Sequence, residues 1–380
     1  MIYFDNAATT GVKPIEVQNA VQKALKEYSV NPGRGGYDAS VMCSEMIYNT
    51  RKKLSDFFNA NAPERVIFTS NCTTALNTVI KGICRPGDHI VTSSLEHNAV
   101  ARPLYKLERA GADIDYAEVI FGDRDATVRS FERLIRPDTR LVICTHASNV
   151  TGEVLPIREI GKICAERGVP FAVDAAQTAG VLDIDMLEMK IDYLCIAPHK
   201  GLYAPMGTGV LIALGKIPET LTEGGTGSMS ISYEQPEDYP ERFESGTLNV
   251  PGIIGISAGL DFINKRKSDN IYRHELEIIQ YIYNHLNLIK GVKLYTEKPE
   301  YGRFVPTLSF NIRGMDSSSV AAKLAENGIA VRAGLHCAPM AHRRIGTVDI
   351  GTVRICLSAF NNFKEADVFI NTVKNFTKKL

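Results

Sequence analysis

The chain has 380 residues, 44% of them hydrophobic, with 43 basic and 43 acidic side chains and a formal net charge of zero. Such a length suits two domains, and this apolar content suffices for a sizeable core. The even charge balance argues against nucleic acid or an anionic membrane surface as a partner. The short basic runs Lys265-Arg266-Lys267 and Arg343-Arg344 read as solvated faces. No apolar stretch approaches the roughly 18 residues of a membrane span. The start, Met1-Ile2-Tyr3-Phe4-Asp5, has neither the basic nor the apolar region of a secretion signal, so a cytoplasmic location is expected. The eight cysteines are scattered and form no C-x-x-C pair. That pattern predicts reduced thiols and no metal site.

In chain order, Arg65 to Phe68, His89 to Thr92, Leu141 to Cys144 and Phe171 to Val173 are short, nearly continuous apolar runs. They predict strands buried on both faces of a parallel sheet. Helix-like stretches separate them, such as Pro156 to Arg167, which Gly168 ends as a C-cap. The alternation predicts an α/β sheet with right-handed crossovers. After about Pro251 the pattern changes. Gly252 to Lys290 reads as largely helical. Strands at Thr307 to Ile312, Ile329 to Arg332 and Arg354 to Ser358 then alternate with helices at Ser317 to Gly328 and about Lys364 to Lys378, a compact α+β unit.

The chemistry concentrates between Val173 and Gly209. One apolar run ends in Asp174, with Gln177 close behind, and the next ends in His199-Lys200. A carboxylate at one strand end can keep a pyridine nitrogen protonated, and a lysine at the next can form a Schiff base, as pyridoxal phosphate requires. Ser70 to Asn77 passes through small hydroxyl residues into a helix. Its start, at Cys72 and Thr73, suits a phosphate, although Ser and Thr are also ordinary helix caps. His97 lies just past a strand end, on the side where α/β sheets bind ligands. Gly224-Gly225-Thr226-Gly227 follows no clear strand and reads as a loop. Cys337, after His336 and before Pro339, sits in a loop where a neighbouring imidazolium or cofactor charge would favour its thiolate.

These motifs, in order, resemble the cysteine desulfurases of the class V aminotransferase group. The landmarks are Tyr3 to Thr9, the Thr73 turn, Glu96-His97, Ser148-Asn149-x-x-Gly152, Asp174-x-x-Gln177, His199-Lys200, Arg242-Phe243-Glu244-x-Gly246-Thr247, Arg332-x-Gly334-x-His336-Cys337-Ala338 and Arg354. The likeness spans essentially the whole chain, and its cysteine motif is of the group II, SufS-like kind. It implies an α/β fold, the fold type I of pyridoxal 5'-phosphate (PLP) transferases. A large cofactor-binding domain would cover 14–255. A smaller α+β domain, 1–13 and 256–380, would carry the cysteine loop.

The resemblance also implies roles. Lys200 would carry the cofactor and shuttle protons, Asp174 would pair with the ring nitrogen, Gln177 would contact the phenolic oxygen, and His97 would stack on the ring. Thr73 and His199 would bind the phosphate, with Thr247 contributing from the neighbouring subunit of a homodimer. Arg354 and Asn149 would hold the substrate carboxylate, and Arg34 would be a further active-site arginine. L-cysteine, or L-selenocysteine in a selenocysteine lyase, would be the substrate. Cys337 would take up the sulfur as a persulfide, L-alanine would leave, and an acceptor protein or small thiol would collect the sulfur. The short, Pro339-stiffened loop implies that this acceptor comes to the site. Iron–sulfur clusters, thiolated tRNA, thiocofactors and selenium are all open as destinations. A catalytically silent PLP-fold protein is the reading from another class. Four positions depart from the pattern: Ala197 for a serine that usually helps hold the phosphate, Pro198 for a glycine, Leu335 for a second histidine, and Thr74 for glutamate.

Overall fold

The computed structural model describes residues 1–33 and 35–377. A short strand, β1 (Ile2–Tyr3), opens the chain. A seven-stranded sheet follows: β2 (Val66–Thr69), β3 (His89–Ser93), β4 (Asp113–Ala117), β5 (Thr139–Thr145), β6 (Phe171–Asp174), β7 (Tyr193–Ile196) and β8 (Gly209–Ala213), in the spatial order β2-β8-β7-β6-β5-β3-β4. The strands β3 to β7 pair in parallel, as the apolar runs predict. Alternate residues of β5 explain why that run is continuous. Val142 and Cys144 join the core on one face, and Leu141 and Ile143 join the core on the other. Only β8 runs antiparallel, to both of its neighbours, so β2 points the same way as the parallel strands.

The remainder is built on β9 (Val292–Leu294), β10 (Thr307–Ile312), β11 (Ile329–Ala330), β12 (Arg332–Gly334) and β13 (Thr352–Cys356). Four of these form an antiparallel sheet ordered β12-β13-β10-β9, while β11 pairs in parallel with β1. The chain start is thereby stitched to the C-terminal unit, whose core includes Phe4, Phe310 and Phe369. The expected helix after Pro251 is two helices, Val250–Arg266 and Ser268–Asn287. Lys267 separates them at φ +66, a left-handed conformation that interrupts the helical ladder. Gly168 is left-handed at φ +66 after Ile157–Arg167, the C-cap read from the sequence.

Candidate active site

The carboxyl ends of β2, β3, β5, β6 and β7 lie at one edge of the large sheet, where such sheets open a crevice. A pocket of about 110 Å³ occupies that edge. Cys72, Thr73, His97, Asn149, Asp174 and Gln177 line it, together with His199 and Lys200.

Asp174 is the last residue of β6 and is 4% exposed. Its Oδ1 accepts from the Ala176 N–H at 2.9 Å and lies 3.7 Å from the Cys72 thiol. Its Oδ2 has no hydrogen-bond partner among the described residues. Burial, and then the Asp174 charge, push the Cys72 thiol well above its usual range, so Cys72 stays a neutral donor toward this carboxylate.

Lys200 ends the turn after β7. Its N–H reaches the Ala197 carbonyl at 3.1 Å, and Ala204 closes back on Pro198 at 3.0 Å. The turn packs so closely that a Cβ on Gly201 would lie 2.3 Å from the Ala179 carbonyl oxygen. The Lys200 amine has no hydrogen-bond partner among the described residues, and burial lowers its basicity against the pull of Asp174. A desolvated, unpaired amine is a ready nucleophile for a carbonyl.

His97 caps the helix Asn98–Arg109. Its Nδ1 accepts from the Ala99 N–H at 3.0 Å, which places a neutral ring's proton on Nε2. Burial lowers its basicity. His199 has a buried Nδ1 with no partner among the described residues, and burial, with Lys200 and Lys13 nearby, lowers its pKa to about 4. Asn71 caps the helix Cys72–Ile83 through the Thr74 N–H at 2.9 Å. The first helical N–H groups, of Cys72 and Thr73, have no intrahelical acceptor and face an anion's natural site. Ala197 lines this pocket with no polar side-chain atom to add.

Arg354, on β13, is 2% exposed. Its Nη2 pairs with Asp5 Oδ1 at 2.9 Å, its Nη1 donates to the Asn149 carbonyl at 2.9 Å, and its Nε is buried without a partner among the described residues. Cys337 is exposed, the other cysteines are buried, and none is bridged. Two donations to its backbone carbonyls fix its loop: Asn98 N–H to the Cys337 carbonyl at 2.7 Å, and Asn149 Nδ2 to the His336 carbonyl at 2.8 Å. His336 and Cys337 both adopt left-handed φ, +49 and +56, unfavourable for non-glycine residues by about 1–3 kcal/mol each.

One expectation is corrected here. His336 does not supply an imidazolium to Cys337. Its Nε2 turns to Thr352, 3.0 Å from the carbonyl and 3.1 Å from the hydroxyl, and burial lowers its pKa to about 2. Thr247 is exposed and does not line this pocket of its own chain. Arg34 lies outside the described residues. Among the described residues, no cluster of side chains could hold a metal ion. Sequence reading missed Asp5 as the partner of Arg354 and Asn98 as an anchor of the loop. Asp5 lies within the Tyr3 to Thr9 landmark, but nothing local signals its distant partner.

A free amine, a carboxylate with one open oxygen, a neutral imidazole, a His199 Nδ1 without a partner among the described residues and a helix start fit PLP. The chain belongs to the class-V aminotransferase family, whose model matches residues 2–369. Its relatives narrow the class. It is 33% identical to a probable cysteine desulfurase of Methanothermobacter thermautotrophicus, over 98% of this chain and 94% of that protein. The apo structure of a cysteine desulfurase from Thermococcus onnurineus superposes with a TM-score of 0.90 at 32% identity, covering 100% of this chain and 95% of the other. The crystal structure of the Escherichia coli cysteine desulfurase CsdA gives 0.87 at 26% identity, with the same coverage. The architecture is that of fold type I PLP enzymes, and the family depends on this cofactor.

Proposed function

We infer that the protein is a PLP-dependent cysteine desulfurase that converts L-cysteine to L-alanine and leaves the sulfur on Cys337 for an acceptor. The observation that carries this reading is an exposed thiol, Cys337, tied by the Asn98 N–H and Asn149 to the wall of a pocket holding a lysine with no hydrogen-bond partner among the described residues. An ordinary aminotransferase has no use for that thiol.

Bound PLP supplies an electron sink for negative charge at the substrate Cα and so weakens the Cβ–Sγ bond. Lys200 holds the cofactor, removes the Cα proton and returns protons to the product. Asp174 Oδ2 would receive the ring N–H, His97 would pack against the ring, and Gln177 would contact the phenolic oxygen. The helix start at Cys72 and Thr73, with His199, would hold the phosphate. Arg354 binds the substrate carboxylate, and Asn149 and Arg34 assist. The Cys337 thiolate attacks the substrate sulfur. The Sγ–S bond forms as Cβ–Sγ breaks, Cβ gains a proton, and the electrons lost by the sulfurs reduce the carbon, so no outside oxidant enters.

The division into 14–255 and 1–13 with 256–380 is supported by the β1–β11 pairing and the core shared by Phe4 and the C-terminal unit. A homodimer is supported by exposed Met229, Ile231 and Tyr233, and by Thr247 being exposed and not lining the pocket of its own chain. The cysteine loop, held at two points, supports an acceptor protein or small thiol that comes to Cys337. Seven buried, unbridged cysteines support a reducing cytoplasm as the compartment.

Anaerobic incubation of the holoenzyme with L-cysteine tests the reading. Alanine together with one added sulfur on Cys337 by mass spectrometry is expected. No alanine from intact holoenzyme would overturn it.

A further inference from the structure

A second, smaller cavity of about 30 Å³ shares Lys200 and Gln177 with the cofactor pocket. Glu275, from the helix Ser268–Asn287, also lines it, with Tyr203 and Cys356. Glu275 is 3% exposed and forms no ion pair among the described residues. Its Oε1 accepts from the Tyr203 hydroxyl at 3.4 Å, and that hydroxyl in turn accepts from the Ala359 N–H at 3.1 Å. Its Oε2 has no protein partner among the described residues. A carboxyl group buried without a counter-charge holds its proton, and burial pushes Glu275 up to about 8. The cavity wall is largely apolar, with Asn6, Thr10 and Gln177 among its polar residues, and its volume accommodates roughly two water molecules, given about 10–15 Å³ for each.

We propose that Glu275 exchanges protons with Lys200 through water held in this cavity. The inference rests on the desulfurase reading for its purpose. Lys200 takes a proton from Cα and must hand protons on, and Glu275 is an acid lining a cavity that Lys200 also lines. The Lys200 ammonium formed at Cα gives a proton to the water as the water gives one to the Glu275 carboxylate, and the reverse transfer from the acid to the free amine restores both groups. No electrons move and no co-reactant is consumed.

The groups facing Glu275 leave this exchange to the two of them. Tyr203, Tyr272 and Cys356 surround the carboxyl group from the turn after β7, from its own helix and from β13. Burial holds all three neutral, with Tyr272 and Cys356 at about 12 and Tyr203 well above its usual value. Cys356 lines the same cavity as Lys200 and Glu275.

Glu275→Gln keeps the shape and the oxygen that accepts from Tyr203 but removes the exchangeable acid. With cysteine deuterated at Cα, the deuterium retained in alanine reports how fast the Lys200 proton washes out. Retention in Glu275→Gln is expected to rise about threefold or more, with kcat down about tenfold, less than direct acid–base groups cost. In cofactor-free protein, pH-dependent acylation of Lys200, read by mass spectrometry, should shift its midpoint down by about half a unit without the carboxylate. Unchanged retention with alanine still formed, or an unchanged Lys200 profile, would overturn the proposal. A wild type that forms no alanine would sink the desulfurase reading, and the Lys200 profile would still decide this one. Should Glu275→Gln not fold, Cys356→Val narrows the cavity with Glu275 intact. Raised retention is again expected, and wild-type retention would count against the water path.

Discussion

Asn149 and His336 are joined by a 2.8 Å hydrogen bond from the Asn149 side-chain amide to the His336 carbonyl. The Asn149 carbonyl meanwhile receives Arg354 Nη1 at 2.9 Å. One residue of the large-sheet unit thus fixes both the cysteine loop and the guanidinium on the smaller sheet.

Asn149→Ala should free the loop without emptying the cofactor pocket. One buried hydrogen bond is worth about 1 kcal/mol. Amide exchange over residues 335–338 should therefore quicken roughly fivefold, with persulfide formation slowed and cofactor absorbance retained. Exchange at the wild-type rate would remove Asn149 as the anchor.

Arg354→Lys should act on substrate binding. The guanidinium spans Asp5 and Asn149 at once, which a lysine ammonium cannot reproduce. Losing a hydrogen bond to a charged group costs about 2 kcal/mol, roughly thirtyfold. We expect KM for cysteine to rise by about that factor, with a smaller change in kcat. A fall confined to kcat would place Arg354 elsewhere in the reaction.

Glu244→Ala should destabilise the fold. Glu244 takes Arg51 Nη1 at 2.8 Å and the Phe68 N–H at 2.6 Å, and both charged side chains are nearly buried. Removing one member strands the other, at about 3–5 kcal/mol. Urea unfolding should show it, and a loss under 1 kcal/mol would mean the pair is solvated in solution.

Glu96→Gln should change how stability depends on pH. Glu96 is fully buried, receives Ser93 and the Thr145 N–H on Oε1, and has no partner on Oε2 among the described residues. Burial raises its pKa from 4.5 to about 8. The folded state keeps a proton that the unfolded chain releases, so wild-type stability from this group falls as pH climbs from about 4.5 through about 8. The slope is about 1.4 kcal/mol per pH unit. Between pH 5.5 and 7.5 the variant should gain up to about 3 kcal/mol on the wild type. Parallel stability curves would show that Glu96 titrates normally.

What could be read beforehand was whatever leaves a local trace. The apolar runs of β5 and β6 announce strands covered on both faces, and Asp174 and Lys200 stand out as polar residues at the ends of such runs. Gly168 marks a helix end by itself. The antiparallel β8 left no such trace, because an apolar strand reads alike in either direction. Nor did the break at Lys267, where an ordinary residue adopts a left-handed conformation.

The sequence by itself determined the alternating strands and helices, the strand-end carboxylate and lysine, and the ordered motifs of a PLP enzyme, since each depends on near neighbours in the chain. The tertiary structure alone decided that Asp5 pairs with Arg354, that His336 turns to Thr352 and stays neutral, and that Glu275 shares a cavity with Lys200. These relations depend on which distant surfaces are pressed together and on how far burial strips water from each charge, and neither is encoded in spacing along the chain.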